Sequence, residues 1–150
     1  MSDRTNRLER WLIYYYGLLQ SVHLMGLIAS GIFWLQRGGL GLLALPPQEG
    51  WSTQAIHFLV ATGLVDVFIA IASLLFVYQY RRAKGNAVVY GSIALTGSIY
   101  SAAVYAYGTI LSGAWIEHLF TYSLMAVLFT PVLALAYVYL GRVLTERTAY

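Results

Sequence analysis

The chain has 150 residues, of which 59% are apolar and only 10% are charged, with a net charge of +3 and no cysteine. A soluble domain carries about 25% charged residues, so this composition excludes an ordinary soluble fold and favours a protein of the lipid bilayer. The lack of cysteine excludes disulfides and thiol catalysis. The basic residues are explained by membrane topology and lipid headgroups, without a nucleic-acid partner.

Four long apolar segments account for most of the sequence. We predict helices over about residues 11–35, 53–80, 87–111 and 115–140. Each exceeds the roughly 20 apolar residues that cross the hydrocarbon core of a bilayer. Because little chain is left for a soluble domain, we expect one membrane domain over residues 1–150. The predicted fold is all-α, an integral-membrane antiparallel four-helix bundle with four transmembrane helices.

Basic residues fall almost entirely on one side of this threading. Arg37 lies on one side, and the other eight of the nine Lys and Arg residues lie on the opposite side. These eight are Arg4, Arg7, Arg10, Arg81, Arg82, Lys84, Arg142 and Arg147. Basic residues concentrate in the cytoplasmic loops of membrane proteins. We therefore predict a multi-pass membrane protein with both termini on the cytoplasmic side.

Two connections face outward in this topology. In the first, over about residues 37–52, glycine and proline flank the apolar stretch 40–45, which disfavours a continuous helix. We expect an ordered loop that caps the bundle, with the alternative that its apolar middle lies on the bilayer surface or dips into it. The second connection, 112–114, is short enough to make the last two helices a hairpin. Pro131 is expected to kink the fourth helix.

Small residues recur every four positions along the third helix, at Ala94, Ser98, Ala102 and Ala106. This spacing places them on one stripe of the helix. Small side chains allow two helix backbones to approach closely in a membrane. The stripe therefore predicts a helix-packing seam, either within this chain or against a dimer partner or another subunit.

Two ionisable residues, His23 and Asp66, lie near the centres of the first two helices. Antiparallel packing would bring them to the same depth, where an unpaired charge costs about 2.5–3.5 kcal/mol. Further hydrogen-bonding residues are predicted at about this depth: Gln20, Thr62, Tyr100 with the adjacent Ser98 and Ser101, and Thr130. The set is interpreted either as a satisfied polar cluster that fixes helix register, or as a proton path or small-molecule pocket. A third interpretation has Asp66 facing a partner subunit.

His57 and His118 lie near the outer ends of the second and fourth helices. Two such histidines are able to ligate a heme, a pigment or a metal ion, with Glu117 as an oxygen ligand. The competing interpretation is interfacial histidines without a ligand. His57 and Asp66 are nine residues apart, which places them on opposite faces of one helix and argues against one internal site that uses both.

No nucleophile–base motif, zinc motif or phosphate loop is present in the sequence. We therefore interpret the chain as a non-enzymatic polytopic membrane subunit, in a homo-oligomer or a larger membrane complex, with a buried polar site at His23 and Asp66. One alternative is a small oligomeric proton-coupled transporter or channel, since alternating access in so small a chain requires a second copy. The other is a heme- or pigment-binding electron-transfer subunit that uses His57, His118 or His23.

Overall fold

The computed structural model describes residues 3–38, 40, 44–83 and 85–148, and within these residues the chain is helical without strands. The helices are α1 (Asp3–Arg37), α2 (Thr53–Arg81), α3 (Ala87–Leu111), α4 (Ala114–Glu117) and α5 (Leu119–Thr148). Four of them, α1, α2, α3 and α5, are long and apolar enough to cross a membrane. The predicted all-α class and the four long apolar helices are confirmed.

The structure changes the ends of two predicted helices. α1 begins before the predicted residue 11 and α5 continues past residue 140, because polar residues with good helix propensity extend each helix beyond its apolar run. The fourth predicted helix is interrupted at His118, whose φ of −125° and ψ of 40° are not helical. α5 then continues through Pro131, and the kink expected there stays a prediction.

Local signals explain where α2 begins and how the final hairpin turns. The Ser52 side chain caps α2 by accepting a hydrogen bond from the Ala55 backbone N–H at 3.2 Å. Gly113 has a φ of 77°, a left-handed conformation that glycine adopts without a steric penalty. The chain therefore reverses within 112–114, as predicted for the second outer connection.

The four long helices pack as a ring of neighbours. α1 and α3 each pack against both α2 and α5. Aromatic residues span the two diagonals of the ring. The Tyr16 hydroxyl of α1 lies 2.7 Å from Ser98 Oγ of α3, and the rings of Phe76 on α2 and Tyr139 on α5 have centroids 4.9 Å apart.

The apolar core lies at the end of the ring that carries the first residues of α1 and the last residues of α5. Its buried residues are Leu12, Ile13, Tyr16, Phe76, Ala94, Leu95, Val132, Leu135, Ala136 and Tyr139. At the opposite end, no residue of α1 over 21–37 is buried. We call residues 21–37 the outer half of α1, and its neighbours within the chain leave it largely uncovered.

Part of the predicted small-residue seam is used inside the chain. Ala94 is fully buried in the core and Ser98 is almost fully buried, whereas Ala102 and Ala106 are only partly buried. The first half of the stripe therefore packs against this chain's own helices and is closed to a partner. Two equally close approaches on α3 lie outside the predicted stripe, at Gly91 and Gly108, where an added Cβ would lie 2.7 Å from Tyr139 Cε1 and 2.7 Å from Phe58 Cε1 respectively.

Candidate functional site

Polar residues pair between α1 and α2 at intervals of seven residues. Three pairs form in antiparallel order: Glu9 with Tyr80, Tyr16 with Ser73, and His23 with Asp66. Seven residues make about two helical turns, so each set stays on one face of its helix. The pairs define three layers, separated by roughly 10 Å along the helices at 1.5 Å per residue. We call them the glutamate, tyrosine and histidine layers.

The histidine layer contains the predicted pair. His23 Nε2 lies 3.7 Å from Asp66 Oδ2, and the two side chains are 37% and 12% exposed respectively. Ser101 of α3 donates a hydrogen bond to Asp66 Oδ1. Three helices thus meet at Asp66, which is well enclosed, whereas more than a third of the His23 side chain remains open on the surface of the single chain.

Tyr100 does not belong to this layer, so its predicted place in the site is wrong. Its side chain is 68% exposed, whereas Ser101 beside it is buried. Consecutive residues on a helix point about 100° apart. Only one of the two therefore faces the interior, and the packing of α3 selects the serine.

Thr62 and Thr130 also stay outside the histidine layer, contrary to the prediction. Thr62 Oγ1 donates to the Phe58 carbonyl at 2.9 Å, and Thr130 Oγ1 donates to the Ala126 carbonyl at 3.3 Å. Each bond lies within its own helix, one turn back, which is the common way for a membrane helix to satisfy a threonine hydroxyl. Both hydroxyls are therefore satisfied within their own helices, and in the described part of the chain neither is hydrogen-bonded to His23 or Asp66.

The tyrosine layer was missed by sequence reasoning, apart from its members Gln20 and Ser98. The buried Tyr16 hydroxyl lies 2.6 Å from Ser73 Oγ and 2.7 Å from Ser98 Oγ, and it donates to the Ala94 carbonyl at 3.1 Å. Gln20 Nε2 donates to Ser98 Oγ at 3.2 Å. The layer joins α1, α2 and α3 through one phenol, and the seven-residue spacing from Tyr16 to His23 was the available signal.

The glutamate layer was missed entirely. Glu9 is fully buried. Its Oε1 forms an ion pair with Arg142 Nη2 at 2.9 Å and accepts a hydrogen bond from the Tyr80 hydroxyl at 3.2 Å. Arg142 was counted only as a topology signal because it follows an apolar segment. The structure shows that it also neutralises a carboxylate in the interior.

Of the two outer histidines, His118 has a protein partner in the structure, and the hypothesis that the two ligate a heme stays a prediction. His118, at the break before α5, donates from Nε2 to the Pro46 carbonyl at 2.9 Å. His57 and Glu117 are exposed. Among the described residues, no group of three or more His, Asp or Glu side chains is arranged to hold a metal ion. His118 therefore serves to anchor the first outer loop.

That loop packs over the end of α5. The Tyr122 hydroxyl donates to the Leu45 carbonyl at 2.8 Å, and Trp51 Nε1 donates to the Ala44 carbonyl at 3.3 Å. These contacts agree with the expected ordered cap over the bundle. Residues 41–43 of the apolar stretch 40–45 lie outside the described residues, so the alternative that this stretch lies on the bilayer surface or dips into it stays a prediction.

The histidine layer has three residue types of a hydrolase triad in a different order. In a catalytic triad the histidine lies between the carboxylate and the serine, so that it takes the serine proton. Here Asp66 lies between His23 and Ser101, and the serine hydroxyl donates to the carboxylate. The serine proton is thus directed to the carboxylate and not to the imidazole, so this order does not activate a nucleophile.

Comparison with protein-family models, curated proteins and solved structures found no match. Function is therefore inferred from the geometry of the layers and from the surface that they leave open.

Proposed function

We propose that the chain is a non-enzymatic multi-pass membrane subunit that assembles with itself or with other membrane chains, with both termini on the cytoplasmic side. Four helices of sufficient length and apolarity support the membrane placement. The eight-to-one distribution of basic residues supports the orientation. In this placement the histidine layer lies near the middle of the bilayer and the glutamate layer near its cytoplasmic face.

The exposed part of His23 is the observation that carries the assembly proposal. The side chain is 37% exposed in the single chain, at a depth where a polar group facing lipid is costly. The outer half of α1 around it contains no buried residue. A second membrane chain against this surface would cover the imidazole and give α1 the packing that α2 and α5 do not provide.

A cross-linking experiment tests this surface, and the chain suits it because it has no native cysteine. Val22→Cys on α1 and Val65→Cys on α2 form a matched pair, since both valines lie at similar depth and are 55% and 54% exposed. Each variant is labelled with benzophenone maleimide and illuminated in intact membranes. We expect Val22→Cys to yield one adduct of defined higher mass and Val65→Cys to yield little. Equal cross-linking of the two variants, or no adduct from Val22→Cys, would contradict the proposal.

A small oligomeric proton-coupled transporter or channel is the second candidate. Gln20 Oε1 is buried and has no hydrogen-bond partner among the described residues. Gln20 precedes His23 by three residues and so lies on the same face of α1. A buried acceptor of the tyrosine layer thus lies on the same helix face as His23, as a proton relay requires. Between the tyrosine and glutamate layers, however, lie the fully buried apolar side chains of Ile13 and Phe76. They interrupt a polar path toward the glutamate layer, so this candidate ranks second.

Substitutions at Asp66 separate the two candidates. Asp66→Asn should leave the thermal unfolding midpoint in detergent nearly unchanged, because the amide oxygen still accepts from Ser101. Asp66→Leu should destabilise the chain by about 1–3 kcal/mol, since Ser101 and His23 lose their partner. In proteoliposomes with a pH-sensitive dye, a proton-coupled protein should lose flux on Asp66→Asn while its stability persists. Flux that survives this change would exclude the second candidate.

A further inference from the structure

We infer that a groove between α1 and α2, at the end of the helices that carries Arg81 and Arg82, binds one anionic phospholipid. The phosphate would lie between the two arginines and one acyl chain would follow the groove. The groove has a volume of about 500 Å³, within the roughly 300–1,000 Å³ of small-molecule sites. This inference depends on the membrane placement proposed above and names the lipid class that the chain selects.

The floor of the groove is narrow and apolar. A Cβ at Gly17 would lie 3.2 Å from Val77 Cγ2, so the two helices approach closely and no side chain from this position fills the space. Ser21 also lines the groove, but its hydroxyl donates to the Gly17 carbonyl at 2.8 Å. With this hydroxyl satisfied, Leu74 and Val77 present hydrocarbon, the chemistry that an acyl chain requires.

The rim of the groove is cationic and ordered by aromatic rings. The Arg81 guanidinium carbon lies 5.9 Å from the Tyr14 ring centroid, and that of Arg82 lies 5.3 Å from the Tyr78 ring centroid. These distances are in the range of cation–π contacts, which restrain the guanidinium groups and leave their N–H donors available. Guanidinium groups bind phosphate through paired hydrogen bonds.

The charge of the two arginines is not neutralised within the described part of the chain. Both side chains are exposed, and the ion pairs found there involve Asp66 with His23 and Glu9 with Arg142. Arg142 therefore has a carboxylate partner, whereas Arg81 and Arg82 have none among these residues. Both guanidinium groups are therefore available to an anion from outside the chain.

A phospholipid fits better than a soluble anion because the groove continues beyond the arginines. It runs from the Arg81 and Arg82 level to Leu74 and Ser21, about two helical turns into the apolar span. A soluble phosphate would contact only the rim. The cytoplasmic leaflet, which this end of the helices is proposed to face, is rich in anionic lipid. One molecule with a phosphate and a chain matches both parts of the groove.

Native mass spectrometry of the full chain in mild detergent tests the inference with phosphatidylglycerol and phosphatidylcholine. We expect the wild-type chain to retain phosphatidylglycerol preferentially. Arg81→Gln with Arg82→Gln should weaken its binding by roughly 10- to 30-fold. Ser21→Phe, which fills the groove without a change of charge, should weaken both lipids. The single arginine variants provide the test if the double variant does not fold.

Two control variants match these changes outside the groove. Arg37→Gln removes an arginine that lies 5.3 Å from the Phe33 ring centroid at the opposite end of α1. Met25→Phe adds an aromatic ring on an exposed face of the same helix. Both should retain the wild-type preference for phosphatidylglycerol, and a loss in either control as large as in the groove variants would overturn the inference.

Two further results of the lipid-binding experiment would contradict the phospholipid site. Retained preference for phosphatidylglycerol in the arginine variants would overturn the inference. Complete displacement of the lipid by glycerol phosphate, with normal binding by Ser21→Phe, would show a soluble-anion site and would also overturn it. Alkaline extraction of membranes tests the placement separately. A chain that resists extraction but shows no lipid preference would contradict this inference alone.

Discussion

Arg142→Met should lower the free energy of unfolding by roughly 3 kcal/mol, the lower end of the range for breaking a buried ion pair. Glu9 is fully buried, and Arg142 holds its Oε1 at 2.9 Å. Methionine keeps the apolar stem of arginine but leaves the carboxylate with the Tyr80 hydroxyl as its one side-chain partner among the described residues. We expect a loss at the lower end of that range because the Arg142 side chain is 26% exposed, so water reaches part of the guanidinium. Equilibrium unfolding by SDS titration in mixed micelles measures the change.

A charge-removing double variant provides the internal control for this result. Glu9→Gln combined with Arg142→Met should recover most of the lost stability, because no unpaired charge then remains buried. Arg10→Met, at an exposed position of α1, should change the free energy of unfolding by less than about 0.5 kcal/mol. If Arg142→Met and Arg10→Met behave alike, the ion pair makes no measurable contribution and the glutamate layer does not stabilise the fold.

Gly91→Val should destabilise the chain by about 2–3 kcal/mol through overpacking. An added Cβ would lie 2.7 Å from Tyr139 Cε1 and 2.8 Å from Phe76 Cε2. Neither ring has room to yield, because both are buried in the core and packed against each other. The Tyr139 hydroxyl is also bonded to the Ala87 carbonyl at 3.0 Å. The same SDS titration measures the loss.

Gly141→Val is the matched control, because this glycine is exposed in α5 and an added Cβ would have no atom within 4 Å. Valine has a slightly higher helix propensity than glycine, so the change should be neutral or stabilising by a few tenths of a kcal/mol. Equal stability of the two variants would mean that α3 and α5 do not approach as closely at Gly91 as the structure places them.

Part of the histidine layer was predictable from sequence because depth follows from helix length alone. His23 and Asp66 occupy matching positions in two consecutive antiparallel helices, and the structure brings them to 3.7 Å. The third member was not predictable in the same way. To predict that Ser101 and not Tyr100 faces Asp66, one must know how α3 is rotated about its own axis. That rotation is set by contacts such as Gly97 against Ile69.

The sequence by itself determined that the chain is helical, that it has four long apolar segments, and where α2 and α3 begin and end. These properties are local, because the length of an apolar run and the placement of glycine, proline and capping residues act within one segment. The recurrence of Glu9, Tyr16 and His23 at seven-residue intervals was also visible in the sequence.

Only the tertiary structure decided which residues Glu9 and Tyr16 meet. Glu9 pairs with Arg142 from the far end of the chain, and Tyr16 reaches Ser98 across a diagonal of the ring. Both contacts depend on helix order around the ring and on the rotation of each helix. These are set by many weak packing contacts between segments distant in sequence, and no local pattern encodes them. The same packing leaves His23 partly exposed, which is the feature that points to a partner chain.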